Sequence, residues 1–341
     1  MAYAIPDGRV AMAATTYTGT GVARSVSNAA NTVSFAPDFV WIKDRTTAYS
    51  HILFDTIRGA GNYLISNGTL VETTDTNYMS AFTSTGFSVG TSAVSNGSAE
   101  NYVGWQWKAG GTAVSNTAGT ITSSVSANPT AGFSVVTYTG TGPAATVGHG
   151  LGVAPSFIII KSRSNSDNWY AYHSSIGNTV SLNPNLSDSA YTNSAYWNNT
   201  SPTASVFTIG TIPSQSGWTY VAYCWAPVAG YSAFGSYTGN GSADGPFIYT
   251  GFRPRFVMIK GSGVAGAWSI TDTSRDTYNL TVNKIEGNTA LSEASNAGLY
   301  QFDILSNGFK IRQGTGYGIN NAATYIYAAF AENPLKYANA R

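Results

Sequence analysis

Three stretches decide how the chain is read: Phe39-Val40-Trp41-Ile42-Lys43, Phe157-Ile158-Ile159-Ile160-Lys161 and Phe256-Val257-Met258-Ile259-Lys260. Each begins two residues after a proline (Pro37, Pro155 and Pro254) and ends in lysine. The second is apolar at four consecutive positions before its lysine, as a strand covered on both faces would be. β-Branched and aromatic residues fill these runs, while Gly, Asn, Ser and Pro punctuate the chain between them, which is strand chemistry.

Further landmarks accompany each run in the same order. Upstream lies Tyr17-Thr18-Gly19-Thr20-Gly21, then Tyr138-Thr139-Gly140-Thr141-Gly142, then Tyr237-Thr238-Gly239-Asn240-Gly241, with 26, 23 and 23 residues from tyrosine to lysine. Downstream a Leu-x-x-Asn pattern is read at Leu64 and Asn67, Leu182 and Asn185, and Leu280 and Asn283, its leucine 21, 21 and 20 residues past the lysine. A short Phe-x-hydrophobic strand follows at Phe87 to Val89, Phe207 to Ile209 and Phe309 to Ile311. The closing strands end in Trp107, Trp225 and Phe330. Five landmarks in constant order identify an internal repeat. In the closing strand Val103, Trp105 and Trp107 share one face, so Trp107, Trp225 and Phe330 are expected to be equivalent core positions.

The expected fold is all-β, a tandem array of three similar β-sandwich domains of jelly-roll or lectin-like type. The boundaries are an N-terminal segment 1–14, β domains 15–108, 136–227 and 234–332, a linker or exposed hairpin 109–135, and a C-terminal tail 333–341. The short second junction predicts that domains two and three are held more rigidly than one and two.

Charged residues make up only 10% of the 341, so solubility rests on neutral polar groups, and 43% hydrophobic content implies a folded chain. Seventeen basic and 16 acidic residues give a net charge of +1 without a basic run, which argues against nucleic-acid binding. The residues from Met1 to Ala14 do not read as a secretory signal, and no window approaches a membrane span. Cys224 is the only cysteine, which excludes an intrachain disulfide and cysteine-based zinc sites and fits folding in a reducing cytoplasm.

His51, Asp55 and Arg58 form the densest cluster of ionisable residues, with Asp272, Arg275 and Asp276 comparable in the third repeat; local salt bridges that pin loops are expected. The histidines His51, His149 and His173 have no Ser or Cys partner in a legible catalytic motif, and the acids show no glycosidase-type pair. Glu72 and Asp75 lie in an oxygen-rich loop without EF-hand spacing. No catalytic residue, cofactor or metal is therefore expected, and the protein reads as non-enzymatic. Lys43, Lys161 and Lys260 are read as solvated strand ends. The aromatic residues that do not recur, Trp169, Tyr170, Tyr172, Tyr196, Trp197 and Trp218, sit among Asn and Ser in the second repeat and are the expected contacts for a glycan or a protein partner.

The string from Ala36 to Arg45, the segment from His51 to Gly59, the strand from Tyr102 to Lys108 and the ending from Ala328 to Arg341 resemble a repeated domain of uncharacterised tailed-phage structural proteins, those of marine and cyanobacterial phages among them. The resemblance covers nearly the whole chain. It is strongest in the first repeat and at Phe330-Ala331-Glu332-Asn333-Pro334, and weakest in the second repeat, where Trp169, Tyr170 and His173 replace the charged residues. It implies a virion component. The expected function is a virion structural protein on the particle surface, a head decoration or a tail appendage or fibre, working through protein–protein contacts. The alternative is a carbohydrate-binding module for host adsorption. Expected partners are other virion proteins, further copies of the chain and a host-surface glycan, with no nucleic acid and no membrane insertion. The expected location is the virion, after synthesis in the bacterial cytoplasm.

Overall fold

The computed structural model describes residue 5 and residues 7–28, 33–295, 301–315 and 318–332; the C-terminal tail 333–341 lies outside them. The first unit contains β1 (Met12–Thr18), β2 (Arg24–Ser27), β3 (Phe39–Asp44), β4 (Ile52–Asp55), β5 (Asn62–Ile65), β6 (Thr73–Thr74), β7 (Ala81–Thr83), β8 (Gly86–Val89) and β9 (Asn101–Trp107). In the second are β10 (Val114–Asn116), β11 (Ser123–Asn128), β12 (Phe133–Thr139), β13 (Ala145–Gly148), β14 (Phe157–Ser162), β15 (Trp169–His173), β16 (Gly177–Leu182), β17 (Tyr191–Thr192), β18 (Val206–Ile209) and β19 (Thr219–Trp225). The third holds β20 (Ser232–Thr238), β21 (Phe247–Tyr249), β22 (Pro254–Gly261), β23 (Ser269–Asp272), β24 (Asn283–Glu286), β25 (Ala294–Ser295), β26 (Phe302–Leu305), β27 (Gly308–Ile311) and β28 (Thr324–Ala331).

The fold is all-β, with antiparallel pairing in every named strand pair and no sheet closed into a barrel. One strand order occurs three times: β1-β9-β3-β4-β5-β6, β12-β19-β14-β15-β16-β17 and β20-β28-β22-β23-β24-β25. The lysine-ending strand takes third place in each. A small sheet covers one face of each large sheet: β2-β8-β7, β13-β18 and β21-β27-β26. Residues 109–135 include the hairpin β10–β11, which extends the second large sheet beyond β12 and buries Ile121 and Val125.

The opening motif has a definite packing role. Tyr17, Tyr138 and Tyr237 stack on the first tyrosine of their closing strands, Tyr102, Tyr220 and Tyr325, each pair with ring centroids 5.1 Å apart. A Cβ on the first glycine of the motif would come within 2.1 Å of Gly97 O at Gly19, 2.4 Å of Gln215 O at Gly140 and 2.1 Å of Asn321 O at Gly239. The second glycine takes φ of 70°, 100° and 70° at Gly21, Gly142 and Gly241, which disfavours a side chain.

Alternation along the lysine strand explains its apolar character. Val40 and Ile42 face the small sheet with Val26, Phe87 and Val89, while Phe39 and Trp41 face the opposite way. On that opposite side the units share one interior. Trp107, Trp225 and Phe330 are all buried, with Trp107 lying 6.1 Å from Trp225 and 5.5 Å from Phe330 between ring centroids. Phe39, Phe133, Phe157 and Phe256 surround them. The large sheets are thus packed on each other around a common core, and a hairpin docked on the second unit occupies the longer junction.

The register corrects one landmark. Leu64 and Leu182 pair with Leu53 and Ala171, and the matching partner of Ile270 is Ile285, not Leu280. Asn288 accordingly does in the third unit what Asn67 and Asn185 do in the others: its Oδ1 accepts the main-chain N–H of Trp268, as theirs accept those of His51 and Trp169. Leu280 is exposed, and extra residues between β23 and β24 displace the pattern.

Candidate interaction surfaces

The side chains with the most chemistry meet where the units join. Eight residues after each lysine stands a ring, His51, Trp169 or Trp268, and each bonds the same carbonyl position of a neighbouring unit. Trp169 Nε1 donates to Ile65 O at 2.8 Å and Trp268 Nε1 to Asn183 O at 3.1 Å, while His51 Nε2 lies 3.0 Å from Glu286 O. First bonds to third, second to first and third to second, so the ring of units closes on itself.

The lysines are not solvated strand ends. Each side chain is fully buried, because its strand continues past it into the seam, and each ammonium reaches main-chain carbonyls of a neighbour. Lys161 Nζ donates to Thr69 O at 3.2 Å, Lys260 to Asp188 O at 2.7 Å and Lys43 to Ala290 O at 3.3 Å. Burial pulls all three down to about 8.

Ion pairs reinforce two of the seams. Asp55 and Arg58 form a salt bridge with no exposed side-chain area, as do Asp272 and Arg275. Arg58 also meets Glu72, which binds Arg163 of the second unit at 2.8 Å; Arg275 likewise meets Glu293, which binds Arg45 of the first unit at 2.7 Å. Glu72 is therefore committed to two arginines. In the second unit His173 stands where the others have Asp55 and Asp272, and its Nε2 lies 3.1 Å from Tyr327 O.

All three histidines are used in one way. Nδ1 accepts an N–H, from Trp41 Nε1 for His51, Leu151 N for His149 and Ser175 N for His173. Nε2 faces a carbonyl, which requires the neutral Nε2–H tautomer. Burial lowers all three, His173 to about 4. Both nitrogens of each ring are thereby engaged in structure.

Five of the six aromatic residues expected to contact a glycan or a protein partner lie inside the fold. Trp169, Tyr170, Tyr172, Tyr196 and Trp197 are buried, and only Trp218 is partly exposed. Trp169 fills the seam, while Tyr172 packs edge-on against Trp197 with centroids 5.6 Å apart, and Tyr170 packs on Tyr196. The second unit uses them as core, because the short helix carrying Tyr196 and Trp197 folds its rings under the sheet. None of the five offers an open ring face for a sugar.

Exposed aromatic surface lies instead on the third unit. In the small sheets Val26, Val147 and Ile248 point inward against Phe87, Phe207 and Phe309. The flanking positions point outward and hold Ser25 and Ser27 in the first unit, Thr146 and Gly148 in the second, but Phe247 and Tyr249 in the third. Phe247 is 46% and Tyr249 67% exposed. Lys310, opposite Phe247, pairs with Asp244 at 2.8 Å, and Arg312 pairs with Asp303. Tyr278 and Leu280, just before the bridge from Thr281 to Phe302, are exposed as well.

A family model described as a domain of unknown function matches residues 10–334 as a single span. The chain belongs to the DUF7483 family. Comparison with curated proteins and with solved structures gave no match. The DUF7483 match runs through all three units, in keeping with their shared interior.

Two features of this DUF7483 chain escaped sequence reasoning. The lysines could have been found from their recurrence at the end of runs apolar on both faces, since a cation continuing such a strand is buried with it. Phe247 and Tyr249 could have been found by aligning Phe-x-Tyr with the Ser-x-Ser and Thr-x-Gly of the other repeats. Among the described residues no helix is long and apolar enough to cross a membrane, and no group of three His, Cys, Asp or Glu converges to hold a metal.

Proposed function

We propose that the chain is a non-enzymatic structural protein of a tailed-phage particle, displayed on the surface as a head decoration or a tail appendage and acting through protein–protein contacts. One observation carries this reading: His51, His173 and the Arg163–Glu72 and Arg45–Glu293 pairs are engaged in joining the units, while two large rings, Phe247 and Tyr249, are left open on one outer sheet. Neighbouring exposed rings on a weakly charged surface are the mark of an interaction site. The resemblance to phage structural proteins supplies the setting, and three similar sandwiches braced on one core supply a rigid block. The test is quantitative mass spectrometry of purified particles of the phage that encodes the chain. A fixed copy number relative to the major capsid protein supports the proposal, and absence from intact particles refutes it.

Carbohydrate binding for host adsorption is the second reading, and only the third unit favours it. Tyr249 and Tyr278 are open to solvent, and charged side chains beside the patch could bond hydroxyl groups. In this reading the site belongs to the outer sheet of the third unit, not to the second unit.

A further inference from the structure

Strand β21 is an edge. Its ladder with β27 uses Pro246 O, which accepts from Ile311 N at 3.0 Å, and Thr250 N, which donates to Asn307 O at 3.0 Å, with Ile248 opposite Phe309 between them. In an antiparallel ladder alternate residues turn their N–H and C=O toward one partner. Phe247 and Tyr249 therefore direct their main-chain groups away from the sheet, and among the described residues no hydrogen bond reaches them. These same two residues carry the exposed rings.

The equivalent edges differ from this one. On β13, Thr146 stands where Phe247 stands on β21, and the chain lays its own residues 119–121 along it: Ile121 N donates to Thr146 O at 3.0 Å, and Thr120 N to Thr146 Oγ1 at 2.9 Å. On β2 the exposed positions are Ser25 and Ser27, without large rings. Charge, cover or proline is how proteins blunt such edges, and β21 has none of these within its length.

The geometry points to a second copy of this chain as the occupant. Placed antiparallel about a two-fold axis at Ile248, two β21 strands set Phe247 opposite Tyr249 of the partner subunit, and the reverse, at both outward-bonding positions. Main-chain bonds then form at each pair, the rings meet as cross-strand aromatic pairs on one face, and two three-stranded sheets become one of six. The edge is self-complementary in register, which favours a like partner over an unrelated one. A strand of three residues makes a small contact below the usual stable-interface size, so the pair is weak in solution and is reinforced by multivalency in an assembly.

This inference rests on the assembly reading above and names its partner. The test is sedimentation equilibrium of the full chain, wild type against two variants. Phe247→Ser/Tyr249→Ser reproduces the residues of β2, which fit the same pairing; Tyr249→Pro removes an N–H that the intrachain ladder does not use and retains the Phe247 ring. The expected result is concentration-dependent dimerisation of the wild type, weakened roughly tenfold or more in both variants with melting unchanged. A monomeric wild type, or a dimer that persists in both variants, overturns the inference. A monomeric wild type whose tyrosine fluorescence responds to soluble host-surface polysaccharide also overturns it and assigns the patch to a glycan. A monomer that is nonetheless stoichiometric in particles overturns the β21 pairing and leaves the assembly reading standing.

Discussion

Replacing Arg58 with methionine removes a guanidinium whose donors are all engaged. Its Nε bonds Asp55, Nη1 reaches Asn62 O at 3.2 Å and Glu72 at 3.1 Å, and Nη2 reaches Leu53 O at 2.9 Å and Tyr223 OH at 3.2 Å. Glu72 keeps Arg163, but Asp55, with no exposed side-chain area, keeps only the Tyr223 hydroxyl and the residue 58 N–H. An unpaired buried carboxylate costs about 3–5 kcal/mol. Neutralising both members, Asp55→Asn with Arg58→Met, removes the stranded charge, so the double variant should be less destabilised than the sum by about 1–3 kcal/mol. The second unit offers a precedent, since the corresponding positions, 12 and 15 residues after the lysine, are His173 and Ile176. Arg163→Met, at a side chain 26% exposed, is the control and should cost under about 1 kcal/mol. Urea unfolding followed by tryptophan fluorescence gives all four values. An Arg58→Met cost below about 1 kcal/mol, or strict additivity in the double variant, would refute the argument that a buried charge is being held.

Trp225→Ala should cost about 3–5 kcal/mol and lower a single transition, because the ring packs on Phe39 and Trp107 of the first unit as well as Phe157 of its own; separable transitions in calorimetry would contradict the shared core. Acid should destabilise the fold. His173 titrates at about 4 when folded against about 6.5 in a free chain, so the unfolded state binds more protons between those values. The His173 contribution is fully present above about pH 6.5 and is lost toward pH 4, by up to about 3 kcal/mol, and His173→Asn should flatten that slope in denaturant titrations across the range. Trp169→Phe, which deletes the bond to Ile65 O, should cost about 1 kcal/mol, and an unchanged midpoint would show that this seam bond carries no stability.

The repeat, its strand chemistry and the equivalence of Trp107, Trp225 and Phe330 were legible in the chain because they rest on local rules. A run apolar on both faces must be covered twice, Gly in Tyr-Thr-Gly-x-Gly meets a backbone or takes positive φ, and Asp and Arg three apart pair locally. The salt bridges Asp55–Arg58 and Asp272–Arg275 bear out that last reading. What lay beyond reach was which faces meet. Lys161 and Trp169 have the composition of a strand end and a sugar platform, yet the neighbouring unit brings Thr69 O and Ile65 O onto them, and burial follows from that approach and not from their own identity. By the same logic Phe247 and Tyr249 read as ordinary strand residues until the small sheet turns them outward and leaves their edge bare. Period and propensity depend on neighbours along the chain, so sequence determined the units; exposure depends on neighbours in space, so only the closing of three units into one ring decided which side chains became seam, core or surface.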